Sequence, residues 1–525
     1  MAERIRILDR RLGEWLVANF GASLPAVDRE KLQRLTQAIS HAVALKHTCV
    51  DLAMYRYLGE PLLNDLLQGI TEKDVQRLIT DVLLPLVASA DGQRIWLQKY
   101  HAFEQSVAAQ LFALQQQNRL KLITGGPGTG KTFQAAKQIE KTLLENPACR
   151  ILLAAPTGKA ANNMMVALAN ANFDAAKHHL KGLTLHALLG MNGRSPKPRR
   201  DKNHPLSCDL LIVDEASMID LPMMYRLLQA LPTQATLLLL GDKNQLASVE
   251  AGSVLAEICN AFESSHYAGA PCIQRLTESR RYQHSPEIGV LAEALNAGQV
   301  PEMSANEKVI AHPLTAANPW EPAWMAQALA GYAWIADSLK NKNATAEDIL
   351  GKQTQFQLLC ALRDGPGGVK GINTMIAKKL GQKPDSWYAG QPVMITQNDH
   401  DRKLYNGDVG MVLPCADGLK ACFMVNGNLK SISRAQMPAY ETCYAITVHK
   451  SQGSEYDHVM IVLPSDVDAV KNSPVLTREL VYTAVTRAKT RIDLWAGSGV
   501  LAAAAAKTTQ RMSGLQNLLS VGIFL

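Results

Sequence analysis

The sequence predicts an α/β protein of two parallel-sheet lobes, with a mostly helical region ahead of them and a small antiparallel barrel set into the second lobe. Three observations carry this. From about residue 119, short apolar runs ending in polar residues alternate with helical periodicity: "RILLAAPT" (150–157), "DLLIVDEAS" (209–217) and "ATLLLLGD" (235–242). Strands apolar on both faces belong in a parallel sheet, whose ligands gather at the strand C-termini. The same grammar returns in "FQLLCAL", "YAITVHKS", "HVMIVLP" and "RIDLWAG". A chain of 525 residues is also too long for one core.

The elements follow in order. Residues 1–115 read as a mostly helical domain, because "KLQRLTQAISHAVALKHTCV" and "EKDVQRLITDVLLPLVASA" carry apolar residues at helical spacing. "DGQRIWLQKY" reads as a turn and strand, and "HAFEQSVAAQLFALQQQ" as a helix. Residues 116–295 form the first lobe and residues 296–525 the second. Within the second, "NPWEPAWMAQALAGYAWIADSLKN" is helical, and "GVLAAAAAKTTQ" is a helix near the end. Short strands with glycine or asparagine turns, "GDVGMVLPCADGLKACFMVNGNLKSIS", place the barrel at about 398–438. No internal repeat is visible, so the two lobes are duplicates at the level of fold only.

Composition is that of a globular protein, 47% hydrophobic and 19% charged, and the net charge of +7 permits a nucleic-acid partner. Nine cysteines lie scattered without zinc spacing, as in a reducing, cytoplasmic compartment. The N-terminus is charged rather than signal-like, and no apolar run approaches a membrane span.

"ITGGPGTGKT" (123–132) holds the chemistry. The spacing Gly125-x-x-x-x-Gly130-Lys131-Thr132 is a phosphate-binding P-loop. Its glycines let successive N–H groups approach an anion, and the helix that follows points its N-terminus at the same place. Lys131 would reach the β/γ-phosphates of ATP or GTP, and the Thr132 hydroxyl would ligate Mg²⁺. Asp214 and Glu215 end an apolar strand, as a Walker B pair does: the aspartate for the metal ion, the glutamate for the attacking water. Gln245 in "GDKNQLASVEAG" is a candidate γ-phosphate sensor. Arg487 in "LVYTAVTRAKT" is a candidate arginine finger from across a lobe interface.

These motifs, with "APTGKAA", "TLHALLG", "VDEASMIDLPMM", "YNGDVG" and "VHKSQGSEYDH", resemble superfamily 1 helicases, and most closely the RecD family. The resemblance runs from about 118 to 515. It implies two RecA-like lobes, an SH3-like barrel, and an ATP-dependent 5′→3′ single-stranded DNA translocase. Such a motor serves a RecBCD-type complex (exodeoxyribonuclease V) in double-strand-break repair. It implies ATP and Mg²⁺ as cofactors, single-stranded and duplex-end DNA as partners, and a heterotrimer with RecB and RecC. RecB would carry the nuclease, and the N-terminal domain would dock on RecC. Carried over by residue, Gly125, Gly126, Pro127, Gly128, Thr129, Gly130, Lys131 and Thr132 hold the phosphates. Thr132 and Asp214 hold the metal. Gln245, Arg281 and Arg487 meet the γ-phosphate, with Gly453 and Glu455 beside them and Glu455 by the ribose. Pro156, Thr157, Thr184, His186, Thr447 and His449 line the DNA track.

The sequence departs from the family pattern at three places. The adenine-reading glutamine is not fixed; Gln105, Gln110, Gln115, Gln116 and Gln117 are all candidates. Arg280 stands where an aromatic commonly stacks on the base, with Tyr282 nearby. Phe133 stands where threonine is common. The basic stretch "GRSPKPRRDKNH" (193–204) is either a solvated loop or a hairpin at the duplex junction. Two other readings stay open: a stand-alone RecD-like helicase, and a non-motor assembly subunit that binds ATP structurally.

Overall fold

The structure, a computed structural model, describes residues 5–79, 85–175, 178–191, 197–248, 250–264, 272–302, 307–314, 322–341, 343–365, 367–383, 386–399, 401–425 and 427–522. Helices Ile7–Phe20, Ala26–Ala44, Pro61–Leu67 and Glu72–Leu78 open the chain. Leu32, Leu35, Ile39 and Ala42 recur at helical spacing and are buried in their own core. A capping box between Thr71 and Asp74 starts the last of these helices. The region is not only helical. Cys49–Asp51, Arg94–Leu97 and Leu86–Ala88 pair as a three-stranded antiparallel sheet.

The first parallel sheet has six strands, in the order Gly182–Thr184, Ile151–Ala155, Leu210–Val213, Thr236–Gly241, Leu120–Gly125 and Ile273–Leu276. Side chains alternate between its faces. Leu120, Leu122, Leu211 and Leu237 pack under helices Leu221–Ala230 and Val254–Glu263. Ile123, Leu153, Ile212 and Leu238 face the opposite way, against helices Lys131–Glu145 and Gly158–Asn170. The second sheet has five parallel strands, in the order Val309–Pro313, Ala488–Ala496, Tyr456–Val462, Phe356–Cys360 and Ala445–Thr447. Its two faces are likewise covered by helices, so both sheets are buried as parallel sheets require.

The antiparallel insertion runs from Pro392 to Thr442, wider than the 398–438 read from sequence. "PVMI", apolar throughout and outside the range read for the barrel, pairs antiparallel with the strand Val409–Cys415. The strand order is Asn428–Ser433, Gly418–Val425, Val409–Cys415, Pro392–Ile395 and Tyr440–Thr442, around a separate core of Val393, Leu404, Val412, Phe423 and Ile432.

Packing moves the lobe boundaries. Helix Gln98–Gln116, read into the 1–115 region, buries Val107, Ala108, Leu111 and Leu114 in the first lobe's core. Helix Pro286–Asn296, read into the lobe ending at 295, buries Ile288, Leu291 and Leu295 with Leu480, Val481 and Ile492 of the second. The C-terminal helix Leu515–Val521 leaves the second lobe altogether. Leu515 and Leu519 join the first lobe's core, and Met512 joins the N-terminal one. Apolar periodicity predicts that such helices are buried but not against which sheet. Among the described residues no helix is long and apolar enough to cross a membrane.

Candidate nucleotide site and nucleic-acid track

After strand Leu120–Gly125 the chain turns through Gly128 at φ 75° and Gly130 at φ 87°. These are left-handed conformations that favour glycine. Gly128 is required twice over: a Cβ there would overlap the Arg281 Cβ and sit 2.9 Å from Ser279 Oγ. The 279–281 turn is seated on the loop. Ser279 Oγ donates to the Pro127 carbonyl at 2.8 Å, and the Arg280 N–H to that of Gly128 at 3.0 Å. Lys131 Nζ donates to the carbonyls of Gly125 (2.7 Å) and Gly126 (3.0 Å), and so lies folded over the cradle. Helix Lys131–Glu145 begins there with its free N–H groups, the arrangement that binds phosphate.

Two strands away, Asp214 follows Leu210–Val213 and donates its N–H to the Ala154 carbonyl at 2.9 Å. Burial and the neighbouring Glu215 raise its carboxyl above the usual range, while Lys131 draws it down. Glu215 sits at φ 51°, a left-handed conformation that costs a residue with a Cβ about 1 kcal/mol or more. The Thr132 hydroxyl and Asp214 carboxylate are hard oxygen donors of the kind Mg²⁺ takes. Among the described residues no group of three or more His, Cys, Asp or Glu side chains is placed to hold a metal ion by itself. Such an ion would therefore complete its shell with phosphate oxygens and water.

The second lobe closes over this site. Gln245 Nε2 is 3.3 Å from Asp242 Oδ2, and the same oxygen accepts the Tyr482 hydroxyl at 2.8 Å. That hydroxyl would be 3.1 Å from a Cβ on Gly126, so Tyr482 touches the P-loop. Leu246 N–H donates to Thr483 Oγ1 (2.9 Å), and Gln452 Nε2 donates to the Leu246 carbonyl (3.1 Å). Asn163 Nδ2 donates to the Gly453 carbonyl at 2.5 Å. Arg487 is 3% exposed. Its guanidinium donates to the carbonyls of Thr483 (3.1 Å) and Ser454 (3.3 Å) and to Thr486 Oγ1 (3.4 Å). Arg281 donates to the Thr486 carbonyl at 3.2 Å and pairs with Glu455. Gln245, Arg281, Gly453, Glu455 and Arg487 are thus brought together at one lobe interface. Tyr482 had no role from sequence, although it stands in the same quoted motif as Arg487.

Three of the track residues share one construction. Thr157, Thr184 and Thr447 each end or follow a strand, and each caps a helical turn. Their Oγ1 atoms accept from Ala160 N (3.1 Å), Ala187 N (3.1 Å) and Lys450 N (3.3 Å). An accepting cap leaves its own O–H to donate, which suits phosphate contact without base reading. Pro156 precedes the first cap, His186 is exposed, and His449 is half-buried. Burial and the charge of Arg511 disfavour protonation of His449. Tyr405 of the insertion packs 3.4 Å from where a Cβ on Gly158 would sit, which brings the antiparallel sheet beside Thr157.

A cleft of about 290 Å³ opens beside the P-loop, walled by Gly126, Asp242, Arg275, Tyr282, Asn296 and Tyr482 among others. None of the candidate adenine-reading glutamines is in its wall. The Gln110 amide is instead spent on Ser106 in its own helix, and Gln115 is buried. The departures at 133 and 280 meet: the Arg280 guanidinium lies over the Phe133 ring, 5.6 Å from its centroid, and Lys137 approaches the same ring at 4.7 Å. Of the basic stretch, Arg194 lies outside the described residues, while Lys197, Arg199, Arg200 and Lys202 are exposed.

Comparison with known proteins agrees with this layout. Residues 108–251 match the model of an AAA domain, and residues 442–494 that of a UvrD-like helicase C-terminal domain. The RecBCD enzyme subunit RecD of Mycolicibacterium smegmatis is 36% identical over 89% of this chain and 85% of its own. That of Haemophilus influenzae is 37% identical over 76% and 70%. The ATP-dependent RecD2 DNA helicase of Deinococcus radiodurans is 31% identical over 80% of this chain and 53% of its own. With a P-loop lobe, a UvrD-like second lobe and this degree of identity over most of its length, the chain belongs to the RecD family of DNA helicases.

Proposed function

We propose that this chain is the ATP-driven DNA motor of a RecBCD-type complex, moving 5′→3′ on single strands and unwinding duplex ends at double-strand breaks. The observation that supports it most is that Arg281, Arg487 and the turn at Gln245 meet around Thr483 and Thr486 of the second lobe, with Arg281 packed on the P-loop at Gly128. A γ-phosphate there would bridge the lobes, and its hydrolysis would release them. Lys131 and the loop amides from Gly125 to Thr132 hold the triphosphate, and Glu215 orients the attacking water. Thr132 and Asp214 hold Mg²⁺, which would offset phosphate charge when bound. Gly453 and Glu455 lie on the ribose side. Pro156, Thr157, Thr184, His186, Thr447 and His449 grip the strand, with the 392–442 sheet as an SH3-like barrel beside them. The N-terminal domain is the docking surface for RecC, in a cytoplasmic heterotrimer with RecB, as the names of the RecD relatives suggest.

A Lys131→Gln chain should bind single-stranded DNA and fail to hydrolyse ATP. Tailed duplexes of both polarities test the direction, and preferential unwinding from a 3′ tail would defeat it. The RecD2 relative favours a second reading, a stand-alone helicase; failure to co-purify with RecB and RecC would select it.

A further inference from the structure

Beyond helix Val500–Ala506 the chain runs back across the molecule, and this return segment touches the N-terminal region and both lobes. Thr509 is hydrogen-bonded to Glu479 of the second lobe. The Met512 side chain is buried in the N-terminal core, its carbonyl accepts from Thr48 N–H at 3.0 Å, and its N–H donates to His47 Nδ1 at 2.9 Å. Ser513 Oγ lies 2.9 Å from Glu104 Oε1 and 2.7 Å from Glu257 Oε2. Between them Arg511 drives its guanidinium into a first-lobe turn. It donates to the carbonyls of Ser248 (2.6 Å), Glu250 (2.8 Å) and Gly252 (2.5 Å), and reaches Ser248 Oγ at 3.3 Å.

That turn follows Gln245. Its near end, at Leu246, is tied to Thr483 and Gln452, which flank Arg487 and His449 in the chain. Its far end is held by Arg511. The guanidinium reaches three backbone carbonyls and a hydroxyl with donors in a fixed planar fork. A lysine ammonium can also gather carbonyls, as Lys507 Nζ does with those of Val470, Lys471 and Ser473, but from one nitrogen on a flexible stem, and so holds the turn less rigidly.

We propose that Arg511 is a positioning residue of the motor: it fixes the turn joining the γ-phosphate sensor Gln245 to the DNA track, so that a strand in the track is felt at the nucleotide. This rests on the helicase reading above. With the far end fixed, a shift at the track moves Leu246 and Gln245; with it free, the turn absorbs the shift.

The test uses the full chain and compares basal with DNA-stimulated ATPase, alongside melting temperature. Arg511→Ala should keep its basal rate while its stimulation by oligo(dT) falls about tenfold, the scale of a coupling mutation. Millimolar guanidinium should restore stimulation to Arg511→Ala and not to Lys131→Gln. Arg511→Lys, which keeps the charge but only one donor nitrogen, should lose more than half of the stimulation though less than Arg511→Ala, and it decides on the same ratio if the alanine variant does not fold. Retention of stimulation within twofold in either variant, or a parallel loss of basal and stimulated rates without guanidinium rescue, overturns the proposal. A wild-type chain whose ATPase ignores DNA defeats the helicase reading itself.

Discussion

Arg487 is a buried cation without a buried anion. The residue is 3% exposed, and its hydrogen-bond acceptors are two carbonyls and a hydroxyl. Among the described residues no carboxylate pairs with it. Its desolvation is therefore only partly offset within the chain, and on the proposed reading a γ-phosphate would supply the missing anion. A unit charge pair at about 4 Å in a partly shielded site, at an effective dielectric of about 20, is worth about 4 kcal/mol. Spent on the transferring phosphoryl group, that is about a thousandfold in rate, the lower end of what arginine fingers supply. Arg487→Gln keeps length and donors but removes the charge. Its DNA-stimulated ATPase should fall about a thousandfold. Its nucleotide-free melting temperature should not fall, because an uncompensated charge has left the interior. Steady-state ATPase and differential scanning fluorimetry give both numbers. An ATPase within tenfold of wild type would refute the electrostatic argument, and so would a large drop in stability with hydrolysis intact.

Two further predictions come from other parts of the molecule. Burial pushes the Glu104 carboxyl up to about 7 from an ordinary 4.5. The folded chain therefore holds a proton that the unfolded chain releases in that window, and stability is lost as pH rises from about 4.5 through about 7, by at most roughly 3 kcal/mol. Glu104→Gln should flatten the melting curve between pH 5 and 8 and gain on wild type at pH 8; parallel curves would remove Glu104 as the cause. Neutralising Lys197, Arg199, Arg200 and Lys202 should lower duplex unwinding more than single-strand ATPase, measured on the same preparation. Equal losses would mean simple phosphate contact.

The chemistry was legible because it is local. A P-loop is a spacing, and Asp214–Glu215 is a strand end, so both could be read from a few adjacent letters. The short edge strands were not. Ile273–Leu276 has two exposed residues in four, and Val309–Pro313 buries only its first. Each is paired along one side only, so neither carries the unbroken apolar run of a central parallel strand. Cys49–Asp51 and Leu86–Ala88 are three residues long and exist by virtue of their pairing with Arg94–Leu97. Tyr482 could have been found: it lies on the buried face of helix Arg478–Val485, and its polar tip needs a partner, which Asp242 supplies. The candidate glutamines are a different case. Their helix was legible, but its orientation on the first sheet is a tertiary fact, and that orientation keeps them out of the cleft wall.

The same long-range facts decide how the lobes can move. The chain passes from the first core to the second between Leu276 and Pro286, and returns between Ala506 and Leu515. Everything else that joins the lobes is side-chain contact, which can break and re-form, whereas these two crossings must bend. The first crossing carries Ser279, Arg280 and Arg281, and all three lie against the P-loop or the arginine cluster. Gly128 has no Cβ because that crossing occupies the space. A change in the phosphate cradle therefore acts on the connection between lobes directly, with no intervening element to transmit it. The second crossing carries Arg511, whose guanidinium is held by three carbonyls of the first lobe. One crossing is seated on the P-loop and the other is pinned to the turn beyond Gln245. If the cleft opens, the two crossings are the segments of chain that must bend, and both already contact the candidate nucleotide site or the turn beyond Gln245.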